Sequence, residues 1–209
     1  NVMANGCCSF VLRVNLISGQ PALEQPVELS IPGTHAVENA LAASACALAA
    51  GASLEQIAAG LGLVSAIAGR LEFKPLANNS AVIDDSYNAS PSSFRAAIDV
   101  LANRAGRKIL VMGDMAELGE DSINMHSEVG AYALEAGIDA LYAVGEQSAS
   151  ACAAFGGNHF QSRELLATAV AQELSRASAD NRPVTFLVKG SRSAGMEKIV
   201  EHLITRGNT

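Results

Sequence analysis

Apolar and polar positions alternate over residues 10–17 (FVLRVNLI) and 26–31 (PVELSI), the period of half-buried strands. The period then changes. Thr34 is placed to cap a helix that runs through HAVENALAASACALAA and stops at Gly51. Apolar residues lie nearly all round that helix, which predicts burial between layers. Ser53-Leu54-Glu55-Gln56 is a capping-box pattern that opens a second, short helix towards Gly60. The segment AIAGR (66–70) breaks the pattern and predicts a domain boundary.

Beyond Arg70 the rhythm becomes strand, turn, helix, repeated. Ala81-Val82-Ile83 heads a strand, and Ser90-Pro91 opens a helix with proline at its first position. KILVM (108–112) is a strand, followed by a loop and a helix from about Ser122 to Ala136, ended by Gly137. ALYAV (140–144) leads into a helix over 147–154. Ser162 and Glu164 start another helix, VTFLV (184–188) is a strand, and Ser193 to about Ile204 is the last helix. Short continuous apolar strands alternating with helices predict an α/β fold: a mostly parallel, Rossmann-like sheet covered on both faces.

Composition narrows the classes. The chain has 209 residues, 49% hydrophobic, enough for a buried core and too apolar for wholesale disorder. No apolar run approaches the roughly 18 residues of a membrane span. Fourteen Lys+Arg against 21 Asp+Glu, a net charge of -7, disfavour a broad nucleic-acid-binding face but leave room for a local basic pocket. Cys7, Cys8, Cys46 and Cys152 have no zinc-site spacing, and Cys46 in its Ala-rich helix reads as a buried, inert thiol. A reducing, cytoplasmic setting is the expectation. The start at Asn1-Val2-Met3 has neither initiator Met nor targeting signal, and reads as a point inside a longer protein.

Candidate chemistry gathers where the predicted strands end. Asp84-Asp85-Ser86-Tyr87-Asn88, Gly113-Asp114, Gly145-Glu146 and Lys189-Gly190-Ser191-Arg192 each follow a strand. Right-handed crossovers put all four on one edge, the edge where open parallel sheets bind ligands. Three glycines there allow close backbone approach. Charges of both signs suit a zwitterionic or phosphorylated ligand. There is no G-x-G-x-x-G, no G-x-S-x-G and no G-x-x-x-x-G-K-[ST], and none of Lys74, Lys108, Lys189 and Lys198 lies in a P-loop. This disfavours a dinucleotide oxidoreductase and an α/β-hydrolase, and these residues alone do not build a P-loop cradle for a triphosphate.

The runs PGTHAVENALAASA (32–45), AGRLE (68–72), VIDDSYNASPSSFRAAIDVL (82–101), ILVMGDMAELG (109–119) and LVKGSRSAGME (187–197) resemble the Mur ligases, in order and across nearly the whole chain. The DDSYNA, GDMAELG and VKGSRS forms are similar to those of the member that joins D-Ala-D-Ala to UDP-N-acetylmuramoyl-tripeptide in peptidoglycan precursor synthesis. The resemblance implies ATP-dependent amide-bond formation through an acyl phosphate, with Mg²⁺ neutralising phosphate charge. It implies that residues 1–68 are the tail of a central ATPase domain and 69–209 a C-terminal Rossmann-like domain. The P-loop, the Mg²⁺ ligands and the UDP-sugar domain are then expected in a part that precedes this sequence, so the chain alone is expected to be inactive.

The same resemblance implies roles for single residues. His35 and Asn39 match an H-x-x-x-N pattern on the adenine side of ATP, although Thr34 and Ala36 depart from the usual neighbours; a capping His and a buried Asn are the alternative. Arg70 matches an interdomain arginine that reaches the ATP phosphates, where the alternative is a surface linker residue. Asp85, with Asn88 nearby, matches the acid that contacts the ribose. Lys189, Ser191 and Arg192 resemble residues at the incoming amino-acid site, and Asp114 and Glu117 are candidates to hold its ammonium or to shape the pocket. Arg70 and Lys189 are the implied catalytic groups, and Arg70→Ala and Lys189→Ala are each expected to lower turnover without unfolding the protein. His126 fits packing or capping as well as substrate contact, and no metal ligand is assigned. Two other readings stay open: a stand-alone Rossmann-like binding domain, and another amide ligase of the folylpolyglutamate synthase type.

Overall fold

The structure, a computed structural model, describes residues 7–15, 22–32, 34–64 and 67–207, without the side chains of Pro32, Thr34 and His35. The expected cap at Thr34, the end of the strand expected over 10–17, and the reading of the chain's start lie outside what is described. Two compact units are present, Asn1–Ala66 and Ile67–Thr209.

In the first unit β1 (Cys7–Val14) pairs antiparallel with β2 (Leu23–Pro32), and α1 (Thr34–Ala49) and α2 (Leu54–Gly62) follow. Leu12, Val27 and Leu29 on one face of the hairpin pack with Ala36 and Ala40 of α1 and with Leu54 and Ile57 of α2. The capping box at Ser53 forms as read: its hydroxyl accepts from the Gln56 amide, and the Gln56 side chain accepts from the Ser53 amide. α1 departs from the expectation. Among its described side chains only a stripe at Ala36, Ala40 and Ser44 is buried, while Leu41 is 45% exposed and Cys46 is exposed rather than buried. Within this unit a two-stranded sheet covers one side of the helix, so the rest of its apolar circumference stays open.

The second unit is a six-stranded sheet of order β3-β4-β8-β5-β6-β7. The strands are β3 (Glu72–Pro75), β4 (Ala81–Asp85), β5 (Arg107–Gly113), β6 (Ala140–Val144), β7 (Asn158–Phe160) and β8 (Val184–Lys189). All neighbours run parallel except the edge strand β3, which pairs antiparallel with β4. Every residue of β4 and of β8 is buried: the apolar Ala81-Val82-Ile83 and Phe186-Leu187-Val188, as a sheet covered on both faces requires, and with them the polar Asp84, Asp85, Thr185 and Lys189. Successive side chains point to opposite faces. Ile83, Leu110, Met112, Leu141 and Leu187 meet α3 (Pro91–Ala102), α4 (Ser122–Glu135) and α5 (Ser148–Phe155). Val82, Ile109, Val111, Phe186 and Val188 meet α6 (Arg163–Ala179) and α7 (Glu197–Gly207).

The helices start where their caps place them. Ser90 accepts from the Ser93 amide ahead of Pro91, and Ser162 accepts from the Leu165 amide ahead of α6. The last helix begins at Glu197, later than Ser193, because Arg192–Ala194 form a 3₁₀ turn closed by Gly195 in the left-handed region. β3 and β7 were not foreseen: they are four and three residues long and carry mixed polar sequence. No helix among the described residues is long and apolar enough to cross a membrane.

Candidate functional site

The carboxyl ends of β4, β8, β5 and β6 share one edge, and β8 lies between β4 and β5 although it is last in the chain. That insertion brings Asp85 and Lys189, paired across the β4–β8 ladder, into contact. Lys189 is 2% exposed. Its Nζ donates to Asp85 Oδ2 and, at 2.9 Å, to the Asn88 carbonyl, and sits 5.4 Å from the centre of the Phe94 ring. Burial pushes the Lys189 ammonium below the ordinary lysine pKa; the Asp85 carboxylate opposes this, and Arg70 adds to the lowering.

Asp85 has a second commitment. Its Oδ1 accepts from the Leu71 amide at 3.0 Å. Two residues further along the chain, the Tyr87 amide donates to the Gly69 carbonyl at 2.9 Å. The turn carrying Arg70 is thus tied on both sides to the loop after β4. Gly69 has φ +72°, and a Cβ there would come within 3.2 Å of the Tyr87 amide nitrogen. Arg70 itself is exposed, its guanidinium 4.5 Å from the centre of the Tyr87 ring; Arg192 approaches the same ring at 6.0 Å. Asp84 faces inward too: Oδ1 accepts from the Ser86 amide and hydroxyl, and Lys74 pairs with Oδ2 at 3.7 Å.

Beside this cluster the ends of β5 and β8 are joined by the Ser191 amide donating to the Asp114 carbonyl at 2.8 Å. The Asp114 carboxylate accepts from the amides of Gln147 and Ser148, at 3.3 and 2.8 Å, and so caps α5. Ser191 is buried, with its hydroxyl 3.1 Å from that of Ser193. Glu117 is exposed on the loop after β5, at φ +63°. His126 is fully buried: Nε2 accepts from the Met115 amide at 2.9 Å, and Nδ1 lies 2.7 Å from the Ser122 carbonyl, to which it donates. These two contacts make His126 the anchor of the loop, the packing alternative. A cleft of about 450 Å³ opens along the same edge, lined by Asp114, Gly145, Arg163, Glu164, Ser193 and Ala194 among others.

Arg70, Asp85, Asn88, Lys189 and Arg192 therefore form one constellation, with Asp114, Glu117 and Ser191 at the neighbouring strand ends. Asn88 takes part through its carbonyl, while its own side chain accepts from the Ala89 amide. His35 and Asn39 belong to α1 in the other unit; Asn39 is exposed, and the His35 side chain lies outside the described residues. Sequence reasoning gives no site role to Tyr87, Arg163 or Glu164, although Tyr87 lies in the strand-end run 84–88. An exposed aromatic in a chain with 4% aromatic residues was the available signal for Tyr87, but its arginine neighbours come from distant loops. No group of three or more His, Cys, Asp or Glu placed to hold a metal ion occurs among the described residues.

The model of the family described as "Mur ligase, glutamate ligase domain" matches residues 69–192. Over 182 residues the chain is 46% identical to the UDP-N-acetylmuramoyl-tripeptide–D-alanyl-D-alanine ligase of Escherichia coli (strain K12), spanning 87% of this chain and 39% of that protein. The Haemophilus influenzae ligase of the same name is 38% identical over 179 residues, spanning 85% and 39%. Among solved structures, MurF from Acinetobacter baumannii aligns with a TM-score of 0.83 at 35% identity, covering 96% of this chain and 43% of that one. The chain spans about two fifths of the length of the curated relatives it matches.

Proposed function

This chain belongs to the Mur ligase family, and from that premise we propose that it forms the C-terminal part of an ATP-dependent ligase. The ligase joins D-Ala-D-Ala to UDP-N-acetylmuramoyl-tripeptide in the cytoplasm, during peptidoglycan precursor synthesis. The observation that carries this reading is the 46% identity to the Escherichia coli ligase of that name across 87% of the chain. In the same reading the first unit is the tail of a central ATPase domain. His35 and Asn39 there are assigned to the adenine side of ATP.

The residues at the sheet edge fit the substrates by charge and exposure. ATP supplies the phosphoryl group that activates the tripeptide carboxylate, and the dipeptide amine then displaces phosphate to form the amide. Arg70 and Arg192 are exposed guanidiniums around one ring, an arrangement suited to phosphate and carboxylate oxygens. Arg70 takes the phosphoryl oxygens, whose charge is redistributed during transfer. Arg192 and the cleft beside Asp114 and Glu164 take the two ends of the zwitterionic dipeptide, with Glu117 at the rim. Asp85 and Lys189 act from below the surface, with the backbone carbonyl of the exposed Asn88 accepting from Lys189: together they hold the loops that carry Arg70 and Arg192, and Ser191 ties the second of these to β5. Mg²⁺ is held by groups outside the described residues.

The test is ATP turnover in the longer protein that carries this chain. Inorganic phosphate should appear only when UDP-N-acetylmuramoyl-tripeptide and D-Ala-D-Ala are both present, and the 209 residues alone should release none. Phosphate release by the isolated chain that depends on D-Ala-D-Ala, or release by the longer protein indifferent to the dipeptide, would overturn the reading.

A further inference from the structure

Arg70 sits on a flexible stem at an exposed turn, and such a side chain ordinarily samples many rotamers. Here three contacts restrict it, and all three come from residues 85–87. Asp85 accepts from the amide of Leu71, Tyr87 donates its amide to the carbonyl of Gly69, and the Tyr87 ring lies against the guanidinium itself at 4.5 Å. The backbone flanking Arg70 is unusual on both sides, at φ +72° for Gly69 and φ +49° for Leu71. Leu71 is not glycine, so its left-handed geometry persists only because its surroundings hold it. Asp85 in turn is fixed by the buried Lys189.

We propose that Tyr87 is the positioning residue of Arg70: its ring and amide, with the Asp85 carboxylate, clamp the turn so that the guanidinium is presented in one orientation. The ring also faces Arg192 at 6.0 Å. Its negative π face offsets the repulsion between two cations brought to one edge. Tyr87 is 44% exposed, so it covers little of the core and its place is explained by the arginines it carries. This rests on the reading that Arg70 meets the phosphoryl group. It gives Asp85 a role through Leu71 and Lys189 rather than as a surface ligand.

Two measurements on the longer protein test the clamp. The first is the rate at which phenylglyoxal modifies Arg70, followed by peptide mass spectrometry in the wild type, Tyr87→Ala and Tyr87→Phe. Tyr87→Ala should speed modification about fivefold or more, and Tyr87→Phe, which keeps the ring, should restore most of the protection. The second is a kinetic cycle of Tyr87→Ala with Arg70→Ala, with thermal unfolding as the check on folding. Tyr87→Ala should lower kcat/KM for ATP about five- to twentyfold in the wild-type background and less than about twofold once Arg70 is gone. Equal modification rates in all three proteins, or a Tyr87→Ala loss that multiplies in full onto Arg70→Ala, would overturn the proposal. If Arg70→Ala alone kept wild-type turnover, the phosphoryl reading of Arg70 would fall, and the modification rates would still decide the clamp.

Discussion

Lys189 is 2% exposed and Arg70 is exposed, and this separates what truncation does at each. Arg70→Ala removes a surface guanidinium and should leave folding stability nearly unchanged. Turnover should drop about a hundredfold or more, the range for a lost donor to a developing charge. Lys189→Ala removes the buried ammonium from its ion pair with Asp85, and losing one member of a buried pair costs about 3–5 kcal/mol. The expectation that both alanine variants stay folded is kept for the exposed Arg70 and replaced for the buried Lys189, where destabilisation is expected instead. Urea unfolding of Lys189→Ala beside Lys189→Met/Asp85→Asn checks this, and the double variant should recover part of the loss. Cys152 gives a pH test: burial pushes its thiol up to about 11. At pH 8 about one molecule in a thousand carries the thiolate, so iodoacetamide should leave Cys152 unmodified until the protein unfolds. Between pH 9 and 11 the unfolded thiol loses its proton first, the folded state binds more protons, and this contribution to stability falls as pH rises.

Where α4 crosses α5, a Cβ on Gly130 would run into the Ala151 carbonyl. Helix propensity alone makes Gly130→Ala stabilising by about 1 kcal/mol. Backbone contact reverses the sign, and the variant should lose about 2–3 kcal/mol in thermal or urea unfolding. Contacts of this kind come from packing between elements and leave no trace in local periodicity. β4, β5, β6 and β8 were legible because both faces of each are buried, which forces a run of apolar residues. β3 and β7 were not, since short edge strands bury one face at most and carry polar residues such as Glu72, Lys74 and Asn158. α1 misled for the opposite reason: alanine is apolar enough to look buried, yet Leu41 and Cys46 stay exposed in this unit. The site was legible as a list of strand-end residues. Its internal wiring was not, because β8 enters between β4 and β5 and sets Lys189 on Asp85 across 104 positions of sequence.

At the scale of the whole molecule, two units divide the labour proposed here. A sheet edge presents Arg70 and Arg192 above a buried Asp85–Lys189 pair, and a smaller α/β unit carries the exposed Asn39. The most direct measurement is the mass of the product formed from ATP, UDP-N-acetylmuramoyl-tripeptide and a panel of D-Ala-D-Ala, D-glutamate and L-glutamate. The account predicts one product, heavier by D-Ala-D-Ala less one water, with one phosphate released per amide. Ligation of glutamate with no D-Ala-D-Ala product would contradict it.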